Sequence, residues 1–110
     1  MKLVTFEADG RTRAGVLEGD DIVDLGASMK EVIASGTMKR GSRIPRNKAK
    51  LRAPMPDPAI VLSVGMNYHE HLREMKTPVP EKPAAFTKSV ASIIASGEAI
   101  KVPPSNPGML

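Results

Sequence analysis

His71 and Glu74 stand three residues apart in the run Asn67-Tyr68-His69-Glu70-His71-Leu72-Arg73-Glu74-Met75. On a helix that spacing puts an imidazole and a carboxylate on one face, close enough to touch. A carboxylate bonded to one ring nitrogen fixes the tautomer and raises the basicity of the other. Such a pair is suited to pulling a proton from water. The same spacing also describes an ordinary surface pair worth only ~0.3 kcal/mol. His69 and Glu70 do not turn the run into a metal site. Adjacent helical residues point in different directions, and a zinc-binding helix wants histidines at i and i+4.

The elements that must position this pair follow from the flanking sequence. Asn67 followed by Glu70 is a helix-start signal, the Asn accepting from an orphan N–H and the Glu reaching back. Ala59 to Val64 is a nearly continuous apolar run ending at Gly65, which reads as a strand buried on both faces. Thr77 to Pro83 holds three prolines and should be extended. Ala84 to Lys88 is a second strand, in which Lys88 alone would be an ordinary edge lysine. Ser89 to Ser96 is ambiguous, Ser96-Gly97-Glu98 is a turn, Ala99 to Val102 is a last strand, and Pro103 to Gly108 is a loop.

The amino-terminal half reads differently. Lys2 to Ala8 and Arg11 to Glu18 flank Asp9-Gly10, a strong two-residue hairpin signal. Gly19-Asp20-Asp21 turns the chain into a short third strand, Ile22 to Leu25, completing a β-meander. Ser28-Met29-Lys30-Glu31 is a capping box for a helix from Met29 to Ala34, with Gly36 as its stop. Thr37 to Lys50 has no clear period, and Lys50 to Ala53 can be a strand. Pro54-Met55-Pro56-Asp57-Pro58 is a stiff linker. The expected organisation is a small β-rich domain over residues 1–53, a linker over 54–58 and a second domain over 59–110.

Composition narrows the class. With 110 residues the chain suits one compact domain or two very small ones. Hydrophobic residues make up 41% and charged residues 25%, near globular averages, while aromatics are only 3%, so the core must be aliphatic. The absence of cysteine excludes disulfides and thiolate-ligated metals. No apolar run approaches the ~20 residues of a membrane span, and Glu7 and Asp9 interrupt any signal-peptide core. A cytoplasmic location is expected. The net charge is +4, and Lys39, Arg40, Arg43, Arg46, Lys48, Lys50 and Arg52 fall in one segment without an acid. That stripe suits phosphate or, more simply, a solvated connector facing water or acidic groups. No aromatic interleaves it, so nucleic acid is not the expected partner.

Several of these residues also carry a resemblance. Val61-Leu62-Ser63-Val64-Gly65-Met66-Asn67-Tyr68, His71-Leu72-Arg73-Glu74-Met75, Pro78-Val79-Pro80-Glu81-Lys82-Pro83 and Phe86-Thr87-Lys88 resemble the start of the catalytic domain of the fumarylacetoacetate hydrolase family, whose pattern is G-x-N-Y-x-x-H-x-x-E, a Pro-rich loop and a strand ending F-x-K. Residues 1–53 resemble the small β-rich domain that precedes it in many bacterial members. The implied fold is mostly β (α+β): an amino-terminal β-meander followed by an incomplete β-roll.

The resemblance implies roles. His71 would be the general base and Glu74 its orienting partner. Lys88 would hold a substrate carboxylate or a developing enolate oxygen, although Ser89 stands where the family usually has proline. Asn67 and Tyr68 match family residues and read first as cap and packing, and Ser92 is a weaker substrate-binding candidate. The family's Mg²⁺ or Mn²⁺ is held by a Glu-x-Glu pair and an Asp, hard ligands suited to such ions. After Glu98 this sequence has no acidic residue, so those carboxylates would lie beyond Leu110 and the chain alone should bind no metal. The expectation is therefore one portion of a longer enzyme, inactive by itself, whose parent takes a small carboxylate substrate and forms a homodimer. C–C hydrolysis, decarboxylation and 2-hydroxy-dienoate isomerisation all fit. A basic binding module, or an oligomerising partner for a complete paralogue, is the non-enzymatic alternative.

Overall fold

The computed structural model of the chain describes residues 1–102, 104 and 105. They form two compact units: Met1–Pro56 with the residues from Ile93 on, and Asp57–Ser92. The elements are mostly strands, with two short helices.

In the first unit β1 (Lys2–Ala8), β2 (Arg11–Glu18) and β3 (Asp21–Asp24) run antiparallel in sequence order. Asp9 and Gly10 both take positive φ (52° and 70°), as the mirror-image two-residue turn requires for its twist to match the strands. Two shorter strands follow, one in the stretch without a clear period and one at the start of the strand expected over Lys50 to Ala53. β4 (Arg43–Pro45) joins the edge of β3 and β5 (Lys50–Leu51) joins the edge of β1, giving the order β4-β3-β2-β1-β5. Only residues 46–49 link these opposite edges, and Arg46–Lys48 form a 3-10 turn. Five flat strands would put the edges about 19 Å apart, whereas such a connector reaches roughly 14 Å. The sheet must curl.

The curl encloses Phe6 and Ile22, both 0% exposed, together with Ala8. Val4, Leu17, Ile44 and Leu51 pack around them. Gly15 is what lets the two large side chains meet across β2: a Cβ there would stand 2.5 Å from Ile22 Cγ2 and 3.0 Å from Phe6 Cε1. On the other face of the sheet Ala14, Val16, Val23 and Leu25 pack against Met29 and Val32 of α1 (Met29–Ser35). The capping box forms as expected, the Glu31 N–H donating to Ser28 Oγ at 3.3 Å and the Ser28 N–H to Glu31 Oε2 at 2.8 Å. Gly36, at φ 63°, closes the helix by donating to the Val32 carbonyl. Arg13 and Asp24, nearly buried on β2 and β3, lie 3.2 Å apart with the guanidinium over the Phe6 ring.

Much of the basic segment is neutralised by carboxylates of the meander and by Glu98. Arg40 and Arg43 pair with Glu18, Arg52 with Glu7, and Lys50 with Glu98. Among the described residues, Lys39, Arg46 and Lys48 make no ion pair. One expectation is corrected at the far end. Ala99–Val102 form no strand, and Ile100 is left 74% exposed; apolar alternation alone does not supply a ladder partner. The loop expected over residues 103–108 lies outside the described residues except for Pro104 and Ser105, which turn.

The second unit is a two-stranded antiparallel ribbon of β6 (Val61–Gly65) and β7 (Ala84–Lys88), with α2 (His69–Glu74) and a Pro-rich loop between them. A 3-10 turn, Val90–Ser92, follows β7. β6 is not buried on both faces as its apolar run suggests. Val61, Ser63 and Gly65 are half-buried on one side, while Leu62 and Val64 are 63% and 61% exposed on the other. An apolar run marks a strand's capacity for burial, but each face needs a layer against it, and the described ribbon covers one. Among the described residues no helix is long and apolar enough to cross a membrane.

Candidate active site

The turn from β6 into α2 passes through Met66 at φ 53°, a left-handed conformation that opposes a branched Cβ and suits few residues other than glycine and asparagine. The chain then enters α2 one residue later than the Asn67 signal suggests. Tyr68 holds the N-cap position and makes no side-chain cap bond, so the expected Asn67–Glu70 box is not formed. A cap must directly precede the first helical residue, and the left-handed turn shifts that boundary. Tyr68 does not pack either: it is 75% exposed.

The far end of α2 is closed firmly. The Thr77 N–H donates to the Leu72 carbonyl at 2.9 Å and the Lys76 N–H to the Arg73 carbonyl at 3.1 Å, with Lys76 at φ 52°. This is the two-bond Schellman closure with lysine where glycine is usual. Leu72, 3% exposed, anchors the helix inward. At about 100° per residue, His71 and Glu74 are turned outward on neighbouring turns. His71 Nδ1 and Glu74 Oε2 lie 4.0 Å apart, with side chains 60% and 81% exposed. The two groups are thus juxtaposed as the spacing predicts, but the expected orienting hydrogen bond is not closed, since such bonds run to about 3.2 Å. A rotamer adjustment of either long axis would close it and leave the second ring nitrogen free for an incoming molecule.

Lys88 stands elsewhere on the ribbon. It pairs with Val61, whereas Gly65, which leads to α2, pairs with Ala84 at the other end. Four register steps of ~3.4 Å separate those ends. The Lys88 ammonium lies 5.9 Å from the Phe86 ring centroid, two residues back on the same strand face. Ser92 Oγ donates to the Ser89 carbonyl at 2.7 Å, and Ser89 Oγ accepts from the Ala91 N–H at 3.2 Å. The Ser92 hydroxyl therefore serves its own turn. The register thus sets Lys88 at the opposite end of the ribbon from the turn that leads to α2.

A hollow of about 270 Å³ does open beside α2. Leu72 and Val79 give it apolar walls, and Asn67, His69, Glu81 and Lys82 border it. His69 is exposed and borders this hollow, while His71, Glu74, Tyr68, Lys88 and Ser92 lie outside its lining. The involvement of Glu81 and Lys82 is not visible from the pattern of residues; the prolines at 78, 80 and 83 say only that this loop is stiff. No three His, Asp or Glu side chains converge among the described residues, so the donor set present does not fit a divalent-ion site by itself.

Comparison with known proteins gives a consistent family. The profile of the fumarylacetoacetate (FAA) hydrolase C-terminal domain matches residues 60–109. The chain is 30% identical over 86 residues to the mitochondrial oxaloacetate tautomerase FAHD2A of Bos taurus, an alignment covering 78% of this chain and 27% of that protein. It is similar to the solved fumarylacetoacetate hydrolase of Exiguobacterium antarcticum, with a TM-score of 0.61 and 36% identity over 86% of this chain and 37% of that one. A solved structure from Mycobacterium abscessus matches with a TM-score of 0.71 and 29% identity, covering 96% of this chain and 40% of its own. The chain belongs to the fumarylacetoacetate hydrolase family. It spans less than half the length of each of these relatives.

Proposed function

We propose that this chain is the amino-terminal portion of an enzyme that moves a proton on a small 2-oxo acid or 1,3-dicarbonyl carboxylate. The observation that carries the reading is the His71–Glu74 pair, 4.0 Å apart and open to solvent on α2, inside the segment that matches the family profile. Glu74 orients the ring and His71 takes or returns the proton. Lys88 holds a substrate carboxylate or an oxygen on which negative charge develops. Hydrolysis and isomerisation of such substrates begin with a proton transfer of this kind, and decarboxylation ends with one, when the enolate left by loss of CO2 takes up a proton. The relatives named a hydrolase and a tautomerase are both compatible with it. Mg²⁺ or Mn²⁺ belongs to the proposal for a longer protein only, because the carboxylates to hold it are not among those described here. A homodimer and a cytoplasmic location stand as proposals of the same kind.

The test compares two histidine variants in a longer protein that contains this sequence and turns over oxaloacetate or an acylpyruvate with added Mg²⁺. His71→Ala should lower kcat by about 100-fold or more, as loss of a general base does, with the fold intact by circular dichroism. His69→Ala should leave kcat within about threefold. Near-normal turnover in His71→Ala removes the base from this assignment. Pure 1–110 should show no turnover, and activity in it would refute the reading of a portion.

A further inference from the structure

Among the described residues from Ile93 on, Glu98 makes the most contacts to the rest of the first unit. Its Oε1 lies 3.2 Å from Lys50 Nζ and 3.6 Å from an Arg52 nitrogen. Its Oε2 accepts the Ala95 N–H at 3.0 Å, and the Glu98 N–H donates to the Ala95 carbonyl at 3.1 Å. The turn is therefore closed on itself through Gly97, at φ 82°, and then docked by one carboxylate on two cations at β5. Arg52 is itself fixed by Glu7, Nε to Oε2 at 2.8 Å. Ala95 is buried at 6% exposure. The Ala95 N–H, and after it Lys50, hold the Glu98 carboxyl below the usual glutamate range.

The place where the chain leaves the same unit is also fixed. The Arg52 N–H donates to the Thr5 carbonyl at 2.8 Å, and Thr5 Oγ1 donates to the Pro54 carbonyl at 2.6 Å. Between these two anchorages lies Asp57–Ser92, which carries Asn67, Tyr68, His71, Glu74, Lys88 and Ser92.

We infer that Glu98 is a positioning residue: its clasp on Lys50 and Arg52 fixes the outgoing end of the site-bearing segment on the amino-terminal sheet, as Thr5 fixes the incoming end. Only the importance of this for turnover rests on the proposed function; the clasp itself does not.

Residue-resolved hydrogen exchange on the 110-residue chain tests it without any need for activity. Glu98→Gln keeps the shape and removes the charge. It should speed exchange about fivefold at Ala95 and Glu98, the scale of an exposed charged network, and also at Ser92, whose N–H bonds to the Ser89 carbonyl. The β1–β2 amides should be unchanged. Lys50→Gln should reproduce the effect in weaker form, and the double variant should add little to Glu98→Gln. Faster exchange confined to Ala95 and Glu98 makes the clasp a local turn lock and overturns the positioning role, as do unchanged rates or full additivity. If Glu98→Gln fails to fold, the Lys50→Gln response at Ser92 decides the question. A missing turnover in every form of the protein would sink the proposed function and leave this result standing.

Discussion

The first unit encloses Phe6 and Ile22 and pairs much of its basic segment; the second buries little of its apolar surface. Phe6 and Ile22 are wholly buried behind a curled sheet whose rim is stitched by Arg–Glu pairs. In Asp57–Ser92 one side chain, Leu72, is buried, while Leu62, Val64, Tyr68 and Val79 are each more than half exposed. The groups suited to chemistry lie in the second unit and the groups suited to stability in the first. A carboxylate and an imidazole must reach substrate to be useful, and a side chain committed to a core cannot.

This division can be broken or sharpened by substitution. The largest effect on stability is expected at the first unit's narrowest point. Gly15→Val forces Ile22 and Phe6 apart and should destabilise the unit by roughly 3 kcal/mol, as overpacking does, seen as a lower urea midpoint for probes on β1 and β2. A change shared equally by β6 and β7 would mean the two regions unfold as one body.

Acid should act next. Three carboxylates of the first unit are held below their usual range: Glu18 by the Arg40 hydrogen bond first, Glu31 by the Ser28 N–H, and Glu98 by the Ala95 N–H. A depressed carboxylate contributes stability that is complete above its unfolded pKa and is lost as the pH falls through its folded pKa. The melting temperature of the first unit should therefore be level from pH 7 to about 5 and decline below about 4, the ordinary glutamate value. A decline that begins near pH 6 would point to other groups.

The smallest effect belongs to the second unit. Lys76 sits at φ 52° at the end of α2, so Lys76→Gly removes a Cβ from a left-handed position and should steady the helix end by about 1 kcal/mol. Slower exchange of the Thr77 amide would register it. Faster exchange would mean the lysine side chain contributes more than its backbone costs.

What the sequence reveals follows the range of the interaction. The Asp9-Gly10 turn, the Ser28–Glu31 box and the Gly36 stop are settled by neighbours within a few residues, and all three form. β4 is recruited by the edge of β3, and nothing local in Arg43–Pro45 announces that; Lys50–Leu51 reads as a strand, but its place on the edge of β1 is set by distant residues. Lys76 and Met66 take conformations that usually signal glycine, so the closure of α2 and its late start are hidden. Of the site, His71 and Glu74 are legible from spacing. Lys88 and Ser92 come only by resemblance, because the register that sets Lys88 opposite Val61 depends on a loop of unmarked reach.

The short strap from Pro45 to Lys50 also imposes an order of events during synthesis. The β1–β2 hairpin has all its partners once Glu18 has emerged, yet Phe6 meets its last neighbour across the sheet only at Leu51. A growing chain halted between those points would carry its largest apolar side chain unshielded, a natural target for a chaperone and an early point of failure for any shortened version of this protein.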